Sequence, residues 1–239
     1  MTSQQPSMPL MAHLQELRSR VVKSVAAIAV GTVIAFIFNE QILDLLARPY
    51  QLAVPDGQLA FFKPTEAFST VMRLSLFGGT ILASPVIIYQ AWRFISPALN
   101  PNEKRWAYPV TSVFVLLFVV GIGVGYVALE RGLGFLLEFG GDALTPIIGA
   151  DFYLKFAMRF ILAFGLAFEF PVFLFGAAAI GAVSSKSLRS NRRWAVLIIL
   201  IAAAFITPSG DPMTLMLLSV PLYILYELTI LAIRIILRR

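Results

Sequence analysis

The chain has 239 residues, of which 59% are hydrophobic and only 13% are charged, whereas a soluble domain carries about 25% charged residues. The composition therefore excludes an ordinary soluble domain and favours a membrane protein. Because the chain has no cysteine and a single histidine, disulfides, thiol chemistry and histidine-rich metal sites are excluded, and we expect no metal and no cofactor. The formal charge of +6 is compatible with a nucleic-acid ligand, so the positions of the basic residues decide its meaning.

Six apolar segments follow a polar start, Met1–Leu10, which lacks the features of a signal peptide and is expected to stay attached and be mobile. The segments are Val21–Phe38, Phe68–Trp92, Tyr108–Leu129, Tyr153–Ile180, Trp194–Thr207 and Met213–Ile236. Most reach the length of about 20 residues that crosses a bilayer as a helix. The prediction is an all-α membrane protein that forms a single domain, residues 1–239, with six transmembrane helices. Helices five and six are expected to be short, and the long helix four is expected to tilt or to begin outside the bilayer.

Lysine and arginine are unequally divided between alternate connections. One set of connections, together with both ends, holds 13 of the 19 basic residues: Arg18, Arg20, Lys23, Arg93, Lys104, Arg105, Lys186, Arg189, Arg192, Arg193, Arg234, Arg238 and Arg239. The other set holds most acidic residues and only four basic ones: Arg48, Lys63, Arg131 and Lys155. Because basic loops stay inside during insertion, six spans with both termini in the cytoplasm are predicted. The charge is then a topology signal, and we expect no nucleic-acid partner.

Two outer connections have helical character. The connection Asn39–Ala67 contains the amphipathic stretch Ile42–Leu46 and then Pro49, and we expect it to form a structured cap on the outer side. The connection Glu130–Phe152 has leucines at helical spacing, which indicates a second outer helix.

Glu169 lies in the middle of the fourth segment, where an ionised, unpaired carboxyl group costs a few kcal/mol or more. Two interpretations stay open: a polar functional site that hydrates the bilayer or binds a partner, and a structural residue bonded to a neighbouring helix. Pro171 frees a backbone carbonyl nearby, so local water is plausible. Because His13 is the only histidine and no pair of acids has a catalytic context, we expect no enzyme activity.

Glu16 and Glu103 are the only acidic residues on the otherwise basic cytoplasmic side. Both could be solvated surface acids, or they could form a paired site for a basic ligand. A carboxylate accepts two parallel hydrogen bonds from a guanidinium group, so a paired site fits the recognition of arginines.

Several motifs, in chain order, resemble the TatC family of twin-arginine protein translocases. They are Met11–Arg20, Ser84–Leu99 followed by Glu103–Arg105, Phe168–Pro171, Thr207 with Pro208, Asp211 with Pro212, and Pro221–Glu227. The resemblance implies a non-enzymatic core subunit that binds twin-arginine signal peptides of folded proteins on the cytoplasmic face. It also implies that this subunit nucleates a translocation complex with single-span Tat subunits, associates with itself, and lies in a plasma (inner) or thylakoid membrane.

The resemblance also assigns roles to residues. Glu16 and Glu103 would contact the signal arginines, in a site shaped by His13, Arg18, Arg20, Phe94, Pro97 and Leu99. Glu169 would face a concave, partly hydrated groove in the helix bundle, and Pro49 would hold the outer cap. The single-span partners would dock on the last two spans, at Thr207, Asp211, Met213, Leu215, Pro221 and Glu227. This chain departs from the family at Leu215, since the family often has a polar glutamine shortly after the position of Asp211.

Two other classes of protein remain as alternatives. A small secondary transporter or channel could use Glu169 as an ion site, and it would show inverted repeats with helices broken at matched places. A structural membrane scaffold would bind no ligand, so binding of a twin-arginine peptide would separate it from a receptor.

Overall fold

The computed structural model describes residues 10–55, 57–95, 107–138, 147–207 and 210–237, and almost all of them are helical. The helices are α1 Leu10–Ile37, α2 Asn39–Ala53, α3 Pro64–Ile95, α4 Ala107–Glu138, α5 Ala150–Ala167, α6 Phe170–Ala179, α7 Ser185–Ser190, α8 Arg192–Ile206 and α9 Pro212–Ala232. The last helix continues as a π-helical turn, Ile233–Leu237. Within the described ranges the only β-type pairing is an isolated bridge between Ala60 and Gly149. The prediction of an all-α protein is therefore confirmed.

Among the residues that the structure describes, five helical segments are long and apolar enough to cross a membrane: Leu14–Ile37, Pro64–Phe94, Thr111–Glu138, Ala150–Ala179 and Pro212–Leu237. They correspond to the first four predicted spans and to the sixth. The fifth predicted span forms α8, whose 15 residues extend over about 22 Å, whereas the hydrocarbon core is about 30 Å thick. The count of six spans stays a prediction.

Two length predictions need correction. The sixth span is not short, because its apolar run continues beyond α9 through the π-helical turn and gives a helical segment of 26 residues. The leucines that follow Glu130 do not form a separate outer helix, because α4 runs without a break to Glu138 and has 32 residues. At 1.5 Å per residue α4 is about 48 Å long, so its end extends past the hydrocarbon core or the helix tilts.

The chain divides into two compact units, of which the first comprises Met1–Asn39 and Met72–Val115. In this unit α1 and α3 are in backbone contact at Gly31 and Gly79. A Cβ atom on Gly31 would lie 2.6 Å from the carbonyl oxygen of Gly79, so neither position has room for a side chain. Small residues commonly allow such close contact between membrane helices.

The second unit comprises Glu40–Val71 and Leu116–Arg239, and its core lies where α4 packs on α5. A Cβ atom on Gly121 would lie 2.8 Å from the carbonyl oxygen of Phe164, and one on Gly125 would lie 2.7 Å from the Cβ of Phe164. The rings of Phe160 and Phe164 are buried beside this contact, with centroids 4.8 Å apart. Gly121 and Gly125 therefore serve helix packing.

The predicted outer cap is a structured element of the same unit. In α2, Pro49 is buried and Tyr50 is fully buried, with its ring centroid 5.3 Å from that of Tyr153 in α5. The hydroxyl of Tyr153 donates a hydrogen bond of 2.7 Å to the carbonyl of Leu46. The backbone N–H of Ala150 donates to the carbonyl of Ala60 at 2.9 Å, which holds the end of the cap against the start of α5.

Candidate functional site

The first cluster of candidate residues lies where α1 faces α3. Arg20 donates from Nη2 to Oε1 of Glu16 at 2.7 Å and from Nη1 to the side-chain oxygen of Gln90 at 3.0 Å. The side chains of Glu16 and Arg20 are only 22% and 14% exposed. The carboxylate of Glu16 is thus held in one orientation by a cation that α3 positions.

Two other residues predicted to shape this site, Arg18 and Phe94, differ in their exposure. Arg18 is exposed, because two residues along a helix is a rotation of about 200° from Glu16. Phe94 is half-buried near the end of α3, beside Arg93, whose guanidinium donates to the hydroxyl of Tyr89 at 3.3 Å.

Three predicted site residues, Glu103, Pro97 and Leu99, lie outside the described residues. His13 lies in α1, but its side chain is also outside the described part. The pairing of Glu16 with Glu103 therefore stays a prediction.

Gln90 is a site residue that the sequence argument did not single out. It follows Tyr89 inside the second span, and an amide one helical turn before the basic end of a span is a signal that could have identified it. Its carbonyl oxygen accepts from Arg20, which explains why a polar side chain is retained at that position.

The second candidate site is the helix break at Glu169. The N–H of Phe168 still donates to the carbonyl of Phe164 at 3.0 Å, but the N–H of Glu169 donates to Leu166 at 3.1 Å, three residues back. Pro171 has no N–H and cannot continue the α-helical pattern. The fourth predicted span is consequently two helices, α5 and α6, with Glu169 at the junction.

Glu169 is buried, with 6% of its surface exposed, and neither carboxylate oxygen has a hydrogen-bond partner among the described residues. The described part of the chain therefore gives no support to a bond with a neighbouring helix. An unpartnered buried carboxyl group costs free energy unless water or a ligand satisfies it, and burial without a partner is typical of functional positions in membranes.

The predicted docking residues at the α8–α9 turn mainly fix helix ends. Thr207 is buried at the end of α8 and donates from its hydroxyl to the carbonyl of Ala203 at 2.8 Å. The side chain of Asp211 caps α9 by accepting from the N–H of Thr214 at 2.8 Å and from its hydroxyl at 2.5 Å. Met213 and Leu215, in the first turn of α9, are half-buried.

Further along α9, Pro221 is also half-buried, while Glu227 has partners of its own. Glu227 accepts from Arg192 at 2.6 Å and from the hydroxyl of Tyr223 at 3.1 Å. Tyr226 donates to the carbonyl of Leu188 at 2.8 Å, so these contacts tie α9 to α7 and α8.

The long apolar helices define a polytopic integral membrane protein. One helix has a positioned carboxylate near its start, and another has a buried carboxyl group without a partner among the described residues. The family model for "Sec-independent protein translocase protein (TatC)" matches residues 12–221. The chain belongs to this family, the TatC subunits of the twin-arginine translocase.

Curated relatives and a solved structure agree with the family match. The TatC protein of Desulforapulum autotrophicum is 40% identical over 98% of this chain and 87% of its own length. The TatC protein of Frankia casuarinae is 37% identical over 96% of this chain and 66% of its own length. A crystal structure of the twin-arginine translocase receptor TatC in the detergent DDM has a TM-score of 0.80 and 37% identity, covering 92% of this chain and 99% of the other. The family indicated by the sequence motifs is therefore confirmed.

Proposed function

We propose that this translocase subunit receives twin-arginine signal peptides of folded proteins at the cytoplasmic face and nucleates the translocation complex. The observation that carries the proposal is the carboxylate of Glu16, which is part-buried. It is oriented by the hydrogen bond from Arg20, which also donates to Gln90. Family membership supplies the ligand class, and this geometry supplies a group that recognises it.

The arrangement favours a guanidinium ligand for a physical reason. A carboxylate has four lone-pair positions, so Glu16 can keep the bond from Arg20 and still accept from a second guanidinium. Because the side chain is ordered before the ligand arrives, binding does not have to order it. In the proposal Glu103 supplies the second carboxylate, and His13, Arg18, Phe94, Pro97 and Leu99 shape the surroundings.

The orientation in the membrane belongs to the same proposal. Both termini lie on the cytoplasmic side, or the stromal side in a thylakoid, with α8 crossing as the fifth of six spans. The division of basic residues between alternate connections supports this topology.

Single-span Tat subunits are proposed to dock on α8 and α9, and copies of the chain are proposed to associate. The supporting observations are that Thr207 and Asp211 form hydrogen bonds at the adjoining ends of α8 and α9 and that Met213, Leu215 and Pro221 remain partly exposed. Glu227 takes part by holding α9 to the start of α8 through Arg192, rather than as an unpaired contact residue.

Glu169 is proposed to keep a polar, water-accessible site at membrane depth. Its burial without a partner supports this role. The same observation would suit an ion site in a small transporter, but family membership favours translocation, and the other long spans of the described chain lack a break like that between α5 and α6.

The test is photo-cross-linking between the chain in reconstituted membranes and a twin-arginine signal peptide with a photoreactive group beside its arginines. The Glu16→Lys variant should lose cross-linking at least about ten-fold, because charge-assisted hydrogen bonds contribute about 1.5–3 kcal/mol each. Gln90→Ala should give a smaller loss, since Arg20 would then orient Glu16 less well.

Two controls define the result. Glu130→Lys makes the same charge change at an exposed position on α4 and should cross-link normally, and a twin-lysine peptide should cross-link weakly. Equal cross-linking of Glu16→Lys and Glu130→Lys would remove Glu16 from the binding site.

A further inference from the structure

An apolar groove of about 480 Å³ lies between α4 and α9, inside the second compact unit. Its lining includes Val120, Gly123, Val127 and Arg131 from α4 and Leu217 and Pro221 from α9. The function proposed above uses one of these residues, Pro221, in the docking face for single-span subunits, and it assigns no ligand to the groove itself.

Gly123 is the reason that the groove is open at its centre. A Cβ atom at this position would meet nothing within 4 Å, in contrast to Gly121 and Gly125 on the same helix, which are closed by α5. On the opposite wall, Pro221 has no N–H and cannot bond to the carbonyl of Leu217, so α9 lacks one intrahelical hydrogen bond beside the groove.

The length of the groove matches one leaflet of a bilayer. Val120 and Arg131 are eleven residues apart on α4, which corresponds to about 16 Å. Half of a hydrocarbon core of about 30 Å is nearly the same distance. A chain of methylene groups in one leaflet could therefore follow the groove from end to end.

Arg131 is the single charged residue in the lining, and it stands at one end of the groove. It is exposed, and within the described residues its guanidinium has no hydrogen bond or ion pair. It also lies two residues beyond the predicted third span, Tyr108–Leu129, and a long arginine side chain near such an end reaches toward the headgroup region. Glu130 is adjacent in sequence but is rotated by about 100° around the helix, so it does not neutralise Arg131 from within the groove.

We propose that this groove is a binding site for one anionic phospholipid, with an acyl chain along Val120, Gly123 and Val127 and the phosphate on Arg131. The apolar walls recognise the acyl chain, and the unpaired guanidinium recognises the phosphate with charge-assisted hydrogen bonds. A tightly held lipid at this position would fill the space between α4 and α9 along the groove.

The test uses the full chain, purified in detergent and titrated with phosphatidylglycerol, with bound lipid counted by native mass spectrometry. One lipid should bind more tightly than the rest. Gly123→Leu should abolish that tight adduct because the new side chain fills the groove. Gly176→Leu is the matched control, since Gly176 on α6 also has open space around it but does not line the groove, and it should keep the adduct.

The headgroup contact has its own pair of variants. Arg131→Gln should weaken phosphatidylglycerol about five-fold, which is the effect of one basic residue on an anionic lipid, while Arg48→Gln on α2 should not. This comparison decides the question even where Gly123→Leu lowers the melting temperature too far for titration.

Two further ligands test the contributions of the acyl chains and of the phosphate separately. Diacylglycerol, which has the chains without the phosphate, should bind more weakly than phosphatidylglycerol and should not respond to Arg131→Gln. Glycerol phosphate, which has the phosphate without the chains, should not bind. Equal titrations of the Gly123→Leu and Gly176→Leu variants, or the absence of any tight adduct, would overturn the proposal and favour a helix of another protein as the occupant.

Discussion

Arg20 connects two helices through a single side chain, since it donates to Glu16 within α1 and to Gln90 on α3. Its Nε atom is buried and has no partner among the described residues. A guanidinium with one unused buried donor can change its bonding without moving far. In the binding mode proposed above, an arriving arginine shares Glu16 with Arg20, which keeps its bond to Gln90.

The prediction for Glu169 separates binding from transport. Glu169→Ala should insert and fold, because removing an unpartnered carboxyl group from the membrane interior does not destabilise the chain. Export of a folded twin-arginine cargo should fall, while signal-peptide cross-linking at Glu16 should survive. Glu169→Gln should be milder, since an amide keeps its hydrogen-bonding capacity.

The matched control for that experiment is Glu130→Ala, which removes an exposed acid from α4 and should export normally. Normal export by Glu169→Ala, measured beside this control, would show that Glu169 has no role in transport.

The sequence predicts which individual residues carry charge inside apolar segments, but it does not predict the residues with which they pair. Glu169 could be found because a carboxyl group inside an apolar run is rare. The pairing of Glu227 with Arg192 could not, because 35 positions separate the two residues and only the α8–α9 turn brings them together. The partner of Gln90 could not be predicted for the same reason, since the bond from Arg20 depends on a contact between α1 and α3.

Tyrosine hydroxyls attach the outer cap to α4 and α5 by hydrogen bonds. The loss of one of these bonds should lower the stability of the protein. Tyr153→Phe should lower the free energy of unfolding by about 1 kcal/mol, because it removes the buried hydrogen bond to Leu46 without changing the ring. The melting temperature of the purified chain should fall by a few degrees.

Tyr126→Phe provides the comparison, since this hydroxyl donates to the carbonyl of Leu45 at 2.9 Å in a more exposed position. Its melting temperature should change less than that of Tyr153→Phe. Equal decreases for both variants would mean that burial does not determine the strength of these bonds.

The elements also show where hydropathy stops being informative. Five of the six apolar segments have spanning length in the structure, so their existence was predictable from composition. The interruption between α5 and α6 was not, because proline at the first turn of a helix and proline inside a kinked helix have the same sequence signal. The length of α4 differed from the prediction because this helix continues beyond its apolar segment to Glu138.

For the whole molecule, the testable statement is the topology. Since the chain contains no cysteine, single cysteines can be introduced without a background. Ser187→Cys, exposed on α7, should react with a membrane-impermeant thiol reagent only after the cells are opened, and Gln51→Cys, exposed on α2, should react in intact cells. Labelling of Ser187→Cys from outside intact cells would contradict the six-span arrangement.

The short length of α8 has a consequence for the lipids around it. In the six-span arrangement its length of about 22 Å falls about 8 Å below the thickness of the hydrocarbon core. Lipids beside α8 must compress to cover it, at a cost of a fraction of a kcal/mol for each Å of mismatch. In that arrangement the bilayer next to this helix is thinned before any cargo arrives, and the proposed passage of a folded protein would begin with part of that deformation in place.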